Sequence, residues 1–84
     1  MGKTTKYWTV YILKCNDNSY YTGCTSDIIQ RLNRHTKGYV KYTKSRLPVE
    51  LILEIRFKDR YKAYDFEKYL KSGSGRAFAN KRFL

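Results

Sequence analysis

Four side chains of this sequence stand at spacings that chemistry could use: Tyr11, Tyr21, Arg31 and His35, separated by ten, ten and four positions. A phenol can hold or accept a proton, and arginine offers a planar fork of donors that matches phosphate oxygens as lysine cannot. His35 lies one helical turn beyond Arg31, so on a helix the two stack on one face. Tyr21, Arg31 and His35 fall within one stretch, Tyr20 to His35, which reads as a strand turning into a helix and carries the polar groups that fit a core worst. To act on a phosphate ester, such a set lacks only a metal ligand.

The rest of the chain points to a polyanionic partner. Against 7 Asp and Glu stand 18 Lys and Arg, a formal charge of +11 on 84 residues, which is a large positive field for so small a body. The charge is unevenly spread. No acidic residue lies between Asp27 and Glu50, an interval that holds Arg31, Arg34, Lys37, Lys41, Lys44 and Arg46. A merely solvated surface mixes signs, so this segment reads as a phosphate footprint, with Tyr39 and Tyr42 interleaved to stack on bases or sugars. DNA is the expected partner, RNA a possible one. No apolar run approaches the roughly 20 residues a bilayer needs and no signal peptide is visible, which predicts a cytoplasmic protein without a membrane partner.

A chain of this length buries only about 60–65% of the surface its unfolded form exposes and cannot support two cores. Residues 1–84 are therefore expected to form a single domain, with 1–6 a flexible leader. Trp8–Lys14 and Ser19–Thr25 are β-branched and aromatic blocks separated by Asn16-Asp17-Asn18, a hairpin signature in which Asn18 best takes the left-handed turn position. A three-residue loop pairs Leu13 with Tyr21 and Tyr11 with Gly23. It puts the rings of Tyr11 and Tyr21 on one face, and Cys15 and Cys24 on opposite faces where they cannot be bridged.

Thr25, Ser26 and Asp27 are successive N-cap residues before a helix of about ten residues. Ile28 and Leu32 form its apolar stripe, widened by Ile29, and Arg31 and His35 occupy a neighbouring face. Tyr39 to Leu47 has no usable periodicity and reads as a basic loop closed by Pro48. Val49, Leu51, Leu53, Ile55 and Phe57 then alternate with polar residues, predicting a third strand with one buried face. Asp59 caps a second helix with Ala63, Phe66 and Leu70 as its core stripe, ended by Gly73-Ser74-Gly75. The tail forms one more short helix, docking Phe78 and Phe83 on the core. The fold class is α+β, a small three-stranded antiparallel sheet flanked by helices.

In their order and spacing, Tyr11, the Tyr21-Thr22-Gly23 triplet, Arg31, His35 and Glu67 in the late helix resemble the GIY-YIG nuclease superfamily. The similarity is greatest to its small standalone bacterial members, which are similar to the N-terminal catalytic domain of the DNA-repair excinuclease. The resemblance covers nearly the whole chain, from Tyr7 to the Gly-Ser-Gly segment. The family's first motif falls on Thr9-Val10-Tyr11, with Thr9 in the glycine position; the second falls on Tyr21-Thr22-Gly23, with Thr22 in the isoleucine position.

The resemblance implies a divalent-metal-dependent endonuclease that hydrolyses phosphodiester bonds of DNA, in repair or recombination. It implies Glu67 as the ligand of Mg²⁺ or Mn²⁺ and Arg31 as the phosphate contact. Tyr21 or Tyr11 is the general base, His35 orients or transfers protons, and Gly23 permits close backbone approach. Arg34, Lys37, Lys41, Tyr42, Lys44 and Arg46 are the expected nucleic-acid contacts. With no room in this length for a targeting domain, a protein partner could supply the address. The alternative is a non-catalytic nucleic-acid-binding module that keeps the fold, motivated by the two threonine departures.

Overall fold

The computed structural model describes residues 6–84, so the expected leader lies outside it except for Lys6. The Asn-Asp-Asn stretch turns the chain as its composition requires. Asn18 takes φ 67°, and the Asp17 carboxylate accepts the Ser19 amide at 3.0 Å. This joins β1 (Trp8–Lys14) to β2 (Tyr20–Thr25) in the expected register, with Leu13 opposite Tyr21 and Tyr11 opposite Gly23. β3 (Glu50–Phe57) pairs antiparallel with the other side of β1, giving the order β2-β1-β3. The fold is α+β, a three-stranded antiparallel sheet with helices.

Strand alternation sorts the sheet into two faces. One carries Val10 and Ile12, which pack with Leu53 and Phe57 against Ala63 and Leu70 of α3 (Arg60–Lys71) and Ala79 of α4 (Gly73–Arg82). The other carries Tyr11, Leu13, Tyr21 and Gly23. It is covered from α1 (Ile28–Thr36) and α2 (Lys41–Lys44) by His35 and Thr43. As the central strand, β1 is sealed on both faces, which is why Val10, Tyr11 and Leu13 are all fully buried. Both longer helices that follow strands start on aspartate caps: Asp27 accepts the Gln30 amide at 3.0 Å and Asp59 the Tyr61 amide at 2.8 Å.

Several expectations are corrected. The alternation of β3 is interrupted, because Ile12 opposes Leu53 while Leu13 opposes Leu51. Ile52 is the extra residue of this bulge and packs against the core in place of Leu51, which is 36% exposed. Ile29 does not widen the apolar stripe of α1. It is 80% exposed while Ile28 and Leu32 are half-buried, because a neighbouring helix position points about 100° away. The expected loop over 39–47 contains the helical turn α2, whose single buried residue, Thr43, is too little to register as periodicity.

The second long helix ends where expected, at Lys71 with Ser72 as its cap, but Gly73-Ser74-Gly75 is itself helical and forms the first turn of α4. Ser72 caps it, accepting the Gly75 amide at 3.1 Å, and Gly75 lies so close to the Tyr69 carbonyl that any side chain there would collide. This tight corner directs Ala79 and Phe83 to the core and leaves Phe78 37% exposed.

Candidate active site

The hairpin register delivers Tyr11 and Tyr21 to one face, their ring centroids 6.1 Å apart, and α1 lowers His35 onto both. The imidazole centroid is 5.8 Å from Tyr11 and 4.9 Å from Tyr21. His35 is fully buried because the i,i+4 face it shares with Arg31 turns toward the sheet rather than to solvent. Its Nε2 is 2.9 Å from the Tyr11 hydroxyl and its Nδ1 is 2.8 Å from Thr43 Oγ1. The Thr43 hydroxyl donates in turn to the Val40 carbonyl, at 3.4 Å. A hydroxyl has one proton to give, so Nδ1–H donates to Thr43 and Nε2 accepts from Tyr11. The buried polar groups form one directed chain, Tyr11 to His35 to Thr43 to Val40.

Burial keeps that chain uncharged. Burial first, and then the neighbouring Tyr21 phenol, hold the Tyr11 hydroxyl well above the usual tyrosine range, against the opposing pull of the Arg31 guanidinium. Burial, then the charges of Arg31 and Arg34, push the His35 imidazole below its ordinary 6.5. Both groups are therefore neutral near pH 7. The sequence does not mark Thr43: a small hydroxyl residue amid lysines and tyrosines carries no periodicity.

Gly23 explains how Tyr11 reaches the edge of the sheet. A Cβ at position 23 would stand 2.5 Å from both Cζ and the hydroxyl oxygen of Tyr11, so the phenol lies across the vacant side-chain space of the opposing strand. Arg31, from the first turns of α1, brings its guanidinium to this place and acts electrostatically on both Tyr11 and Cys24. Its Nε is buried and has no hydrogen-bond partner among the described residues. Native proteins rarely leave such a donor unpaired, and an unpaired guanidinium donor is a place for an anion's oxygen.

Glu67 reaches the same edge strand from α3, on the core side of the sheet. The Cys24 thiol records its approach: burial first, then the Glu67 carboxylate, push the thiol up, while Arg31 and Lys71 pull it down. Arg31 and Glu67 thus flank one segment of β2. The Glu67 side chain is 20% exposed and lies 3.0 Å from Lys71 one turn on, whose side chain is 54% exposed. Among the described residues no cluster of three or more His, Cys, Asp or Glu side chains could hold a metal ion. Cys15 and Cys24 are unbridged.

The basic segment is joined to this site through Tyr42, whose ring centroid is 5.6 Å from that of Tyr21. Arg34, Lys37, Lys41 and Lys44 are exposed. Arg46 is engaged within the fold: it pairs with Asp17 at 3.0 Å and lies 4.1 Å over the Tyr42 ring, clamping the hairpin turn to α2.

Sheet, helices and the grouping of these side chains place the molecule in a class that sequence comparison identifies. The family model described as the GIY-YIG catalytic domain matches residues 7–82. The chain is 43% identical over 72 residues to a UPF0213 protein of Listeria monocytogenes, covering 84% of this chain and 80% of that protein. Over 75 residues it is 39% identical to a UPF0213 protein of Cupriavidus necator, covering 84% and 82%. The solution NMR structure of a UPF0213 protein from Bacillus halodurans superposes with a TM-score of 0.58 at 32% identity, covering 92% of this chain and 86% of that one. The chain belongs to the GIY-YIG family, whose catalytic domain is that of nucleases. Among the described residues no helix is long and apolar enough to cross a membrane.

Proposed function

We propose that this chain is a single-domain cytoplasmic endonuclease that hydrolyses phosphodiester bonds of DNA with a divalent cation. The observation that carries the reading is the buried, unpartnered Arg31 Nε beside two phenols on a strongly basic molecule. A phosphodiester supplies the anionic oxygen that this donor lacks. Arg31 binds it with a planar fork and stabilises the charge those oxygens gain in the transition state.

Of the two tyrosines, Tyr21 is the better base. Tyr11 is sealed, held as a neutral phenol and already donating its proton to His35. Tyr21 is half-buried and lines an open cleft, so in its phenolate form it can take the proton of an attacking water. Tyr11, His35 and Thr43 hold the base and Arg31 in register. Arg34, Lys37, Lys41 and Lys44 contact the flanking phosphates, and Tyr42 carries a stacking ring beside Tyr21.

Glu67 fits a cation bound in part by substrate: it is one partly shielded carboxylate whose partner, Lys71, is exposed enough to turn away. Mg²⁺ and Mn²⁺ fit such a site, since Mg²⁺ keeps several waters and is held by one or two carboxylates plus substrate phosphate. When bound, the ion supplies further positive charge to the phosphate oxygens. Action in repair or recombination, on DNA rather than RNA, and recruitment by a protein partner rest on family likeness and on charge.

The test is hydrolysis of labelled single-stranded, nicked, branched and duplex DNA and RNA with Mg²⁺ or Mn²⁺, wild type against Glu67→Gln. Turnover by the wild type and a loss of at least roughly a hundredfold in the variant are expected. Cleavage that survives the substitution refutes the role of Glu67. Salt-dependent binding without turnover on any substrate would make the chain the non-catalytic binding module.

A further inference from the structure

Beside Tyr21, a cleft of about 530 Å³ opens between the edge of β2 and helices α3 and α4, within the roughly 300–1,000 Å³ typical of small-ligand pockets. Its floor is apolar, made of core residues Ile12 and Leu70. The rings of Tyr20, 41% exposed, and Tyr42, 38% exposed, line it. Lys71 and Arg76 contribute positive charge, and no acidic side chain is among the lining residues. Arg76 has no carboxylate partner among the described residues. A cationic ligand is disfavoured here, and a purely apolar one would leave Arg76 without a partner. A flat aromatic ring carrying phosphate meets every group present.

The cleft adjoins the proposed reacting site at the edge of β2. Tyr21 lines it, Tyr42 stands 5.6 Å from Tyr21, and Lys71 is the residue paired with Glu67. We infer that this cleft takes an unpaired nucleotide next to the scissile phosphate, its base on the rings of Tyr20 and Tyr42 and its phosphates at Lys71 and Arg76. This deepens the nuclease reading and rests on it for the position of the cut. A base inside a duplex is stacked and paired and cannot enter. One that is bulged, mismatched or single-stranded leaves the helix at least cost. The substrate class is therefore DNA with an unpaired nucleotide at the cleavage position.

Two measurements test this without turnover. In the first, deoxyadenosine monophosphate is titrated into the wild-type protein without metal and followed by amide chemical shifts, with ribose 5-phosphate as the probe lacking a base. The mononucleotide should move the resonances of Tyr20, Thr22 and Lys71, and the sugar phosphate should move Lys71 alone, and less. Equal shifts from both, or none from either, overturn the proposal. In the second, a duplex with a one-nucleotide bulge is compared with its fully paired counterpart by fluorescence anisotropy. Wild type should favour the bulge at least roughly tenfold, since base stacking on aromatic rings is worth that much. Tyr20→Ala with Arg76→Ala should abolish the preference while changing affinity for paired duplex less than about twofold. Equal loss on both duplexes overturns the pocket. The two readings fail separately: mononucleotide binding without hydrolysis removes the nuclease assignment, and hydrolysis without mononucleotide binding removes the pocket.

Discussion

The Tyr11 hydroxyl stands 2.9 Å from His35 Nε2, and neither ring reaches solvent. The pair joins the central strand to the first helix through a hydrogen bond that water cannot replace. Removing one partner leaves the other's polar atom buried and unpaired, at a cost of about 1–3 kcal/mol. Tyr11→Phe should therefore lower unfolding free energy by that amount in urea titration. Its effect on cleavage should be smaller than that of Tyr21→Phe. The reverse ranking would make Tyr11 the base.

The same pair gives stability a pH profile. His35 has its folded value pushed below 6.5, so the stability it contributes is complete above that value and is lost as pH falls from there through the folded value. Tyr11 has its folded value raised above 10, so its contribution is complete below 10 and lost as pH rises. The Cys24 thiol, raised from 9.0, adds to the alkaline loss. Melting temperature should be highest between about 6.5 and 9. Tyr11→Phe should reduce the alkaline fall, and Cys24→Ser should reduce its earliest part. A flat profile from pH 5 to 7 would contradict the sealed neutral imidazole.

Thr43 fixes which nitrogen of His35 carries the proton, through the 2.8 Å bond to Nδ1. Thr43→Val keeps the shape and deletes the acceptor, leaving Nδ1–H buried without a partner, so a loss of about 1–3 kcal/mol is expected. In turnover, kcat should fall while KM changes little, and Thr43→Ser should restore most of it. The imidazole ¹⁵N shifts should show Nδ1 protonated in wild type and a mixed population in the valine variant. An unchanged tautomer would reduce Thr43 to packing.

How much of this was legible in the sequence depends on how far each feature depends on contacts remote in the chain. The hairpin was readable to the residue because Asn18 fixes the turn and a one-residue slip would flip every side chain, and the structure has that register. The spacing of Arg31 and His35 was readable as one helix face; that this face is sealed was not, since sealing it requires Thr43 from a separate turn. The bulge at Ile52 was hidden because Leu51 and Leu53 alternate without fault, and only pairing with β1 shows the shift. Gly73-Ser74-Gly75 looked like a stop by composition. The close approach of Gly75 to the Tyr69 carbonyl is a tertiary reason for glycine in a helix's first turn.

Gly23→Ala tests the crossing of Tyr11 over β2. The added methyl carbon would meet the Tyr11 ring and hydroxyl at 2.5 Å, and the ring, sealed on all sides, has nowhere to yield. Overpacking of this kind costs about 1–3 kcal/mol, and the displaced phenol breaks its bond to His35. The variant should fold with lowered stability and have at most roughly a hundredth of wild-type cleavage, since small misplacements at a reacting site cost about that much. Tyr11→Phe removes the oxygen but leaves Cζ at the same 2.5 Å, so the double variant should lose less than the sum of the two single losses, because both break the bond to His35. Losses that add in full would show that the clash spares that bond.

Arg31→Lys separates charge from geometry at the proposed phosphate contact. The lysine keeps the positive charge but cannot supply the planar fork, and it has no equivalent of the buried Nε that lacks a partner. Cleavage under single-turnover conditions should fall roughly a hundredfold or more, the loss typical of removing one transition-state donor. Binding to DNA should weaken far less, because a point charge still releases counterions. The slope of log affinity against log salt should match wild type, and Arg31→Ala should lower that slope by about one. Cleavage that survives the lysine variant would show Arg31 serving only as a charge, and the unpaired Nε would then have no part in holding the phosphate.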